Sequence, residues 1–348
     1  MKILFLTPGR DVPSSRFRVE QYLPYLRKNG FSCCFSPAIP SYYSYLPLPF
    51  KGKSMILLPL KFPNRLYSIL DRKSNIVFLQ RDLLPEPTGI LEKCIRYLSR
   101  GNSSIIFDFD DAIWLNYENK VRKIISISNV IIAGNNFLAD YAKQYNRNVV
   151  TIPTSIDTSL YVPKAPKSSE KKIIIGWSGT ASNLEYLKLI KNPLVTLSRK
   201  YDFTLKILTN KGAKNPLDIK DVNVEIRYWT RETELSELYT FDIGIMPLKS
   251  GVWENGKCGF KIILYLSLGI PSVASPTNVN CEIIKDGKNG FIASSEKDWV
   301  ENLSKLIEDY NLRLSLGRTG RTLVEEKYSV KANLPLLIAA LNHAYSNT

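Results

Sequence analysis

Residues 241–275 read FDIGIMPLKSGVWENGKCGFKIILYLSLGIPSVAS, and the fold class can be inferred from their pattern. The apolar run 241–246 predicts a buried strand, and a glycine-rich basic loop follows it. Helical spacing over 260–268 ends at Gly269, after which 271–274 predicts the next strand. Strand, helix and strand in this order indicate an α/β domain with a parallel sheet.

The start of the predicted helix 260–268 is a candidate phosphate site. Backbone N–H groups in the first turn of a helix have no acceptor inside the helix, and they favour a negative ligand. Gly259 would let the main chain approach a ligand closely, and Lys257 and Lys261 flank it with positive charge. The alternative at this point is an ordinary strand–loop–helix unit with solvated lysines.

Alternating strand and helix patterns extend in both directions from this stretch. They fill residues 1–160 and again 173–330, so each half predicts a doubly wound domain. Residues 161–172, YVPKAPKSSEKK, are polar with two prolines and predict the linker, and a last helix over about 331–348 is expected to pack back on the first domain. Two such domains facing each other predict a central cleft, where ligands bind.

The helix that follows the first strand of the first domain is predicted from residues that typically begin and end a helix. Ser14-Ser15 precede it and Asn29-Gly30 close it, which predicts a single helix after the first strand. This helix would begin in the loop that follows the first strand.

The composition excludes several classes of protein. The 348 residues are 44% hydrophobic and 23% charged, which supports two buried cores and argues against disorder. The chain has no window of 18 apolar residues and no signal peptide pattern, so we expect a cytoplasmic location, with room for peripheral attachment to the inner face of the cell membrane. The five cysteines form no CxxC pair, which argues against zinc. The single histidine, His343, is expected on a terminal helix, which argues against a hydrolase that needs a core histidine.

The formal charge of +15 is unevenly distributed. Residues 1–100 hold 16 Lys and Arg against 6 Asp and Glu, and 21–70 contain no acidic residue. Such a field attracts nucleic acid, phosphorylated ligands or an anionic bilayer. We expect the Tyr-, Leu- and Lys-rich residues 41–70 to lie on an anionic membrane surface; an apolar loop packed on the domain is the alternative. Because no recognition helix or nucleic-acid motif is found, no nucleic acid is expected as a partner.

Seven motifs follow one another along the chain. The first half carries LFLTPGRDVPSSRFR, IIFDFDDAIW, VIIAGNNFLADYA and TIPTSIDTSLY, and the second half carries DIGIMPL, GKCGFKIILYLSLGIPSVASP and EIIKDGKNGFIA. Together they resemble the group 1 glycosyltransferases, the retaining GT-B enzymes of glycosyltransferase family four. The resemblance implies a GT-B fold of two Rossmann-like domains and a UDP- or GDP-type sugar donor, with no metal or other cofactor. The donor-binding residues that it implies are Ser178, Gly179, Thr180, Glu254, Lys257, Cys258, Gly259, Phe260 and Lys261.

The sequence departs from the family pattern at two glutamates that bracket this loop. Gly256 and Leu264 stand at those positions, and Leu264 cannot accept hydrogen bonds from ribose hydroxyl groups as the second glutamate does. Donor recognition is then expected to use the main chain, Lys257 and Lys261, or Glu254. A non-catalytic GT-B protein is the alternative that this departure supports.

Asp108-Phe109-Asp110-Asp111 follows an apolar strand of the first half. An Asp-x-Asp pair could hold a metal in a GT-A transferase or act in a phosphatase, but both need another architecture. The resemblance places Asp110 where relatives often carry a histidine, beside the transferred sugar. We therefore take Asp110 and Asp111 as catalytic candidates, with a structural cap for the following helix as the alternative. The resemblance also implies that the departing phosphate takes the acceptor's proton, so that no strong protein base is required.

Basic side chains near the ends of the first strands form a second candidate group. We predict that they bind an anionic acceptor or the donor phosphates, a solvated basic helix start being the alternative. The residues are Arg10, Ser14, Arg16, Arg18 and Arg81.

These expectations describe a metal-independent glycosyltransferase of the hexosyltransferase type. Its acceptor would be a glycan or lipid-linked molecule in surface polysaccharide or lipopolysaccharide-type synthesis. A basic nucleic-acid-binding protein is the alternative from another class. A sugar-nucleotide epimerase of the same fold is disfavoured because it normally needs a core histidine.

Overall fold

The computed structural model describes residues 1–38, 74–84, 87–98, 103–163, 172–217 and 219–346. The expected membrane-facing segment 41–70 and most of the predicted linker lie outside these residues. The chain divides into two compact units. Unit 1 comprises Met1–Ser155, Gly256–Cys258 and Val330–Thr348, and unit 2 comprises Ile156–Asn255 and Gly259–Ser329.

Unit 1 contains a parallel sheet of six described strands in the order β2-β1-β3-β4-β5-β6. The central strands are buried along their whole length, as expected where helices cover both faces of a sheet. The strands are β1 (Lys2–Thr7), β2 (Ser32–Pro37), β3 (Ile76–Gln80), β4 (Ser104–Phe109), β5 (Val130–Ala133) and β6 (Val149–Thr151).

The helices of unit 1 connect these strands. They are α1 (Pro13–Arg18), α2 (Leu23–Lys28), α3 (Ile90–Leu98), α4 (Glu118–Ile127) and α5 (Asn136–Lys143), with single 3-10 turns at Glu20–Tyr22 and Ile113–Leu115. The prediction of one helix between Ser14 and Asn29 is wrong, because the helix breaks at Val19 and restarts with Pro24 in the first turn of α2. Proline has no N–H to continue a helix but is tolerated where one begins.

Unit 2 contains a second parallel sheet of six described strands in the order β12-β11-β10-β7-β8-β9. The order reverses between β7 and β10, and ligands of doubly wound sheets bind at the carboxyl ends of the strands at such a reversal. The strands are β7 (Ile173–Ser178), β8 (Phe203–Thr209), β9 (Asn223–Tyr228), β10 (Ile243–Met246), β11 (Ser272–Ala274) and β12 (Gly290–Ile292).

Helices again connect the strands of unit 2. They are α6 (Lys191–Ser198), α7 (Glu234–Leu238), α8 (Val252–Asn255), α9 (Phe260–Ser267), α10 (Asn278–Ile283), α11 (Glu296–Glu308) and α12 (Tyr310–Leu323), with a 3-10 segment at Ala181–Ile190 and a π turn at Val324–Tyr328. The predicted pair of doubly wound α/β domains is therefore confirmed.

The C-terminal helix α13 (Val330–Ser346) belongs to unit 1. Leu337 and Leu341 lie in the apolar core beside β3, β4 and β5, and the Ser104 hydroxyl donates a hydrogen bond of 2.6 Å to the Ala344 carbonyl. His343 is exposed on this helix. Across the described part of the chain, none of the helices has the length and apolar character needed to cross a membrane.

Candidate functional site

The start of α9 in unit 2 requires a glycine. Gly259 has a φ of +64°, in the left-handed region, and a Cβ there would lie 2.3 Å from Ile283 Cδ1. The N–H groups of Ile262 and Ile263 are the first that donate to the Gly259 carbonyl. Phe260 and Lys261 therefore form the first turn of the helix, and the helix dipole favours an anion at this end.

Lys261 lies in this first turn, and its ammonium group sits 5.3 Å from the centre of the Trp177 ring. Trp177 belongs to β7, so the lysine reaches from α9 to the end of that strand. A Cβ on Gly179 would lie 2.8 Å from the Lys261 Cε atom. The structure thus brings together Lys261 and the predicted donor residue Gly179.

The loop after β7 uses its main-chain donors within the protein. The Ser178 N–H donates to the Tyr265 hydroxyl at 2.7 Å, and the Gly179 N–H donates to the Leu208 carbonyl at 3.0 Å. The Thr180 hydroxyl accepts a hydrogen bond of 2.8 Å from the Asn183 side chain. The amides of Ser178 and Gly179 are therefore engaged, and the positive charge beside them comes from Lys261.

Glu254, on α8, is a buried carboxylate of unit 2. The Tyr186 hydroxyl donates to Glu254 Oε1 at 2.5 Å, and the Lys249 ammonium lies 3.9 Å from the same oxygen. Sequence reasoning selected Glu254 but missed both partners. Tyr186 precedes Glu254 by 68 residues, so no local pattern connects them.

The tripeptide Gly256–Cys258 groups with unit 1, although it was expected beside Lys261 in the second domain. The Asn135 side-chain amide donates to the carbonyls of Gly256 and Lys257, and the Cys258 thiol donates to the Asp110 carbonyl at 3.2 Å. Burial raises the pKa of this thiol, which keeps it neutral. Lys257 and Cys258 thus form part of the unit 1 structure around Asp110.

Gly256 has a steric reason for lacking the glutamate that the resemblance implies at this position. A Cβ at this position would lie 2.7 Å from the Ala112 backbone nitrogen and 2.6 Å from its Cβ. The second departure, Leu264, is buried in the core of unit 2. Neither position offers a carboxylate, and at 256 the main chain of Ala112 leaves no space for one.

Arg81 joins the two catalytic candidates of unit 1. Its guanidinium group contacts Asp110 Oδ1 at 2.8 Å and also donates to the Asp111 carboxylate. The three side chains are 24%, 12% and 19% exposed for Arg81, Asp110 and Asp111. Burial raises the pKa of Asp111, and the charges of Arg81 and Lys257 oppose that rise. The 3-10 turn after Ala112 has no side-chain cap, so the structure does not show the capping role that was the alternative for these aspartates.

Arg81 has a backbone φ of +58°, which makes it the one non-glycine residue with a positive φ within the described ranges. A left-handed conformation is unfavourable for any residue with a side chain. Glycine would adopt it without strain, so the arginine is present for its side chain.

The other basic candidates have separate positions in unit 1. Arg18 is buried, its Nε lies 3.2 and 3.1 Å from the two carboxylate oxygens of Asp108, and its Nη1 donates to the Ile152 carbonyl at 2.7 Å. The Ser14 hydroxyl donates to Gln80 Oε1 at 3.3 Å. Arg18 therefore uses its charge inside the core.

Arg10 and Arg16 lie nearer the surface of unit 1. The Arg10 Nε atom is 3.8 Å from Glu20 Oε1, and the Arg16 guanidinium lies 4.8 Å from the centre of the Phe17 ring. Among the residues that the structure describes, no cluster of three or more His, Cys, Asp or Glu side chains has the arrangement of a metal site.

Two parallel sheets covered by helices, each with a doubly wound order, define the GT-B fold of two Rossmann-like domains. HepE of Anabaena, solved with UDP and glucose, is similar with a TM-score of 0.72 and 13% identity, over 98% of this chain and 99% of that chain. Sucrose-phosphate synthase of Thermosynechococcus elongatus is similar with a TM-score of 0.72 and 11% identity, over 100% of both chains. At these identities the likeness establishes the fold.

The sequence family is supported by the second half of the chain. Residues 173–309 match the family model described as glycosyl transferases group 1. Glucosyltransferase 3 of Streptococcus parasanguinis is 21% identical over 191 residues, which are 54% of this chain and 53% of that protein. The alignment thus spans about half the length of this curated relative. The segment that contains Trp177, Gly259 and Lys261 therefore resembles group 1 glycosyltransferases.

Proposed function

We propose that this protein is a glycosyltransferase that takes a sugar from a nucleotide-diphosphate donor. The observation that carries the proposal is the start of α9, where the left-handed Gly259 and the charged Lys261 lie inside the segment that matches the glycosyltransferase family model. HepE, one of the structural relatives, was solved with UDP and glucose, which supports a donor of the UDP type.

Lys261 and the positive end of the α9 dipole bind the diphosphate in this proposal. Negative charge builds up on the phosphate as its bond to the sugar breaks, and a fixed cation and oriented N–H groups stabilise that charge. The departing phosphate accepts the proton of the acceptor hydroxyl, so transfer proceeds with retention and needs no protein base. Glu254, held by Tyr186, supplies the carboxylate for donor hydroxyl groups that Gly256 and Leu264 do not provide.

Asp110 and Asp111 bind hydroxyl groups of a sugar in unit 1. Arg81 holds both carboxylates, and charged carboxylates accept strong hydrogen bonds from hydroxyl groups. Because Arg18 and Arg81 are paired with aspartates, we propose a glycan or lipid-linked acceptor whose binding depends on hydroxyl groups more than on an anionic group.

The cellular role is a proposal from charge and composition. The excess of basic residues in 1–100 favours work beside an anionic membrane surface, on the cytoplasmic side. We propose hexosyl transfer without a metal, in the synthesis of a surface polysaccharide or of a lipopolysaccharide-type glycan.

The test is calorimetric titration with UDP, GDP, ADP and CMP, each with and without EDTA, followed by a hydrolysis assay with the matching glucose and galactose donors. We expect one nucleoside diphosphate to bind in preference to CMP, without dependence on a metal, and its sugar donor to be cleaved. Binding without cleavage or transfer would support the non-catalytic GT-B alternative. Absence of nucleotide binding would refute the donor proposal.

A further inference from the structure

Lys261 packs along a groove at the end of β7, which Trp177 and Gly179 form. Its ammonium group lies 5.3 Å from the centre of the Trp177 ring, and its Cε lies 2.8 Å from the place where a Cβ of Gly179 would be. The same Cβ would lie 2.8 Å from the six-membered ring of Trp177. The lysine stem therefore crosses Gly179 before its charge reaches the indole.

This packing explains why residue 179 is a glycine, and a ligand bound to its amide is not needed as the reason. Its N–H group donates to the Leu208 carbonyl, and its backbone has no positive φ that would by itself demand glycine. The space that a Cβ of residue 179 would need is occupied by Lys261 and Trp177. A larger residue at 179 would displace the flexible lysine first, because the buried indole has less freedom to move.

The Trp177 ring orients the lysine through a cation–π contact. The face of an indole attracts a cation and carries no net charge of its own. A lysine on the surface loses rotamer freedom when it binds a ligand, and a stem that is already packed loses less. Trp177 is 1% exposed, so it is a rigid partner.

Tyr265 fixes the distance between α9 and β7 at the next turn of the helix. Its hydroxyl accepts the Ser178 N–H at 2.7 Å, and residues four apart lie on the same helix face. Lys261 and Tyr265 thus contact three consecutive residues of β7 and its loop. The helix start and the groove are held as one piece.

We propose that Trp177 and Gly179 are positioning residues that aim the Lys261 ammonium ion at the diphosphate of a nucleotide. The role of the diphosphate rests on the proposed function, whereas the fixed direction of Lys261 does not. The groove favours lysine over arginine at this position, because a guanidinium group is broader than the methylene stem that crosses Gly179.

The test is a double-mutant cycle on Gly179→Ala and Lys261→Ala, measured by calorimetric titration with UDP. Lys261→Ala should weaken UDP binding about 10- to 100-fold, the usual range for a hydrogen bond to a charged group. Gly179→Ala should weaken it by about three- to tenfold in the wild-type background and by less than about twofold in the Lys261→Ala background. Equal losses in both backgrounds, or no loss in the wild type, would overturn the positioning role.

A second measurement works without any nucleotide. Reductive methylation with ¹³C-formaldehyde labels the lysines, and the Lys261 signal, assigned from its absence in Lys261→Ala, should be shifted upfield by the Trp177 ring. In Gly179→Ala it should move toward the position of solvated lysines, while Lys305, which lies 5.5 Å from the Phe291 ring, should stay unchanged. A Lys261 signal at the solvated position in the wild type would contradict the groove even if UDP binds. A shifted signal without UDP binding would refute the donor site alone.

Discussion

The predicted site cations of the two units have different partners, although both units share one architecture. In unit 1, Arg18 lies against Asp108 and Arg81 bridges Asp110 and Asp111. In unit 2, Lys261 lies over the uncharged ring of Trp177. Carboxylates offset the charges of the two arginines, whereas an aromatic ring has no net charge with which to offset the charge of a lysine.

This difference separates the excess of positive charge from the place where an anion binds. Residues 1–100 carry the densest positive charge, yet Arg18 and Arg81 within them are paired with carboxylates. The field of a whole domain steers anions toward it, but a specific contact needs a cation whose side chain is held in the right direction. We therefore expect changes in unit 1 to alter stability and changes at Lys261 to alter binding.

The largest effect should come from breaking the buried pair of unit 1. Arg18→Met leaves Asp108 buried without its partner, so the free energy of unfolding should fall by about 3–5 kcal/mol. Burial raises the pKa of Asp108 and Arg18 opposes that rise, so without Arg18 the folded state takes up a proton more readily than the unfolded chain. The loss should consequently be smaller at pH 5 than at pH 7, which urea denaturation at both values can measure.

Two variants control this experiment. Arg18→Met combined with Asp108→Leu removes both charges and should recover part of the stability. Arg122→Met breaks a pair with Glu118 that is about half exposed on both sides, and it should cost less than about 1 kcal/mol. Similar losses for Arg18→Met and Arg122→Met would contradict a buried pair.

The second effect should appear in binding and not in stability. Lys261→Ala should reduce the binding free energy of UDP by about 1.5–3 kcal/mol, because a contact between a cation and a phosphate is lost. Lys305→Ala is the matched control, since Lys305 also lies over an aromatic ring of unit 2. Unchanged UDP affinity in Lys261→Ala, measured by titration calorimetry, would place the phosphate elsewhere.

The sequence predicted the parts of both units that depend on local pattern. The apolar run 241–246 contains β10, and the glycine before 260 does begin a helix. Arg18 and Asp108 are 90 residues apart, and no periodicity reports such a pair. The assignment of Gly256–Cys258 to unit 1 was missed for the same reason, because their contacts with Asn135 and Ala112 are not local.

The third effect concerns the glutamate that the family pattern places at position 256. Gly256→Glu would insert a side chain against the Ala112 backbone, so the free energy of unfolding should fall by about 1–3 kcal/mol, the usual cost of overpacking. UDP affinity should not improve, because the new side chain would be directed against the Ala112 backbone. Gly256→Ala carries the same clash with one methyl group and should show a smaller loss in the same urea titration. A stable Gly256→Glu variant with tighter UDP binding would contradict the packing at Ala112.

The smallest effect should distinguish the backbone of Arg81 from its side chain. Arg81→Gly and Arg81→Ala both remove the guanidinium group that bridges Asp110 and Asp111, but only glycine adopts the positive φ without strain. Arg81→Gly should therefore be the more stable of the two variants by about 1 kcal/mol, measured by urea denaturation at pH 7.

Burial raises the pKa of Asp111, and loss of Arg81 raises it further, so the folded state binds a proton more tightly than the unfolded chain. Both variants should then lose more stability relative to the wild type at pH 7 than at pH 5, and by the same amount, because the pH dependence belongs to the carboxylates and not to the backbone. A pH dependence that differed between the glycine and alanine variants would show that the strained backbone, and not the ion pair alone, sets the position of the two aspartates.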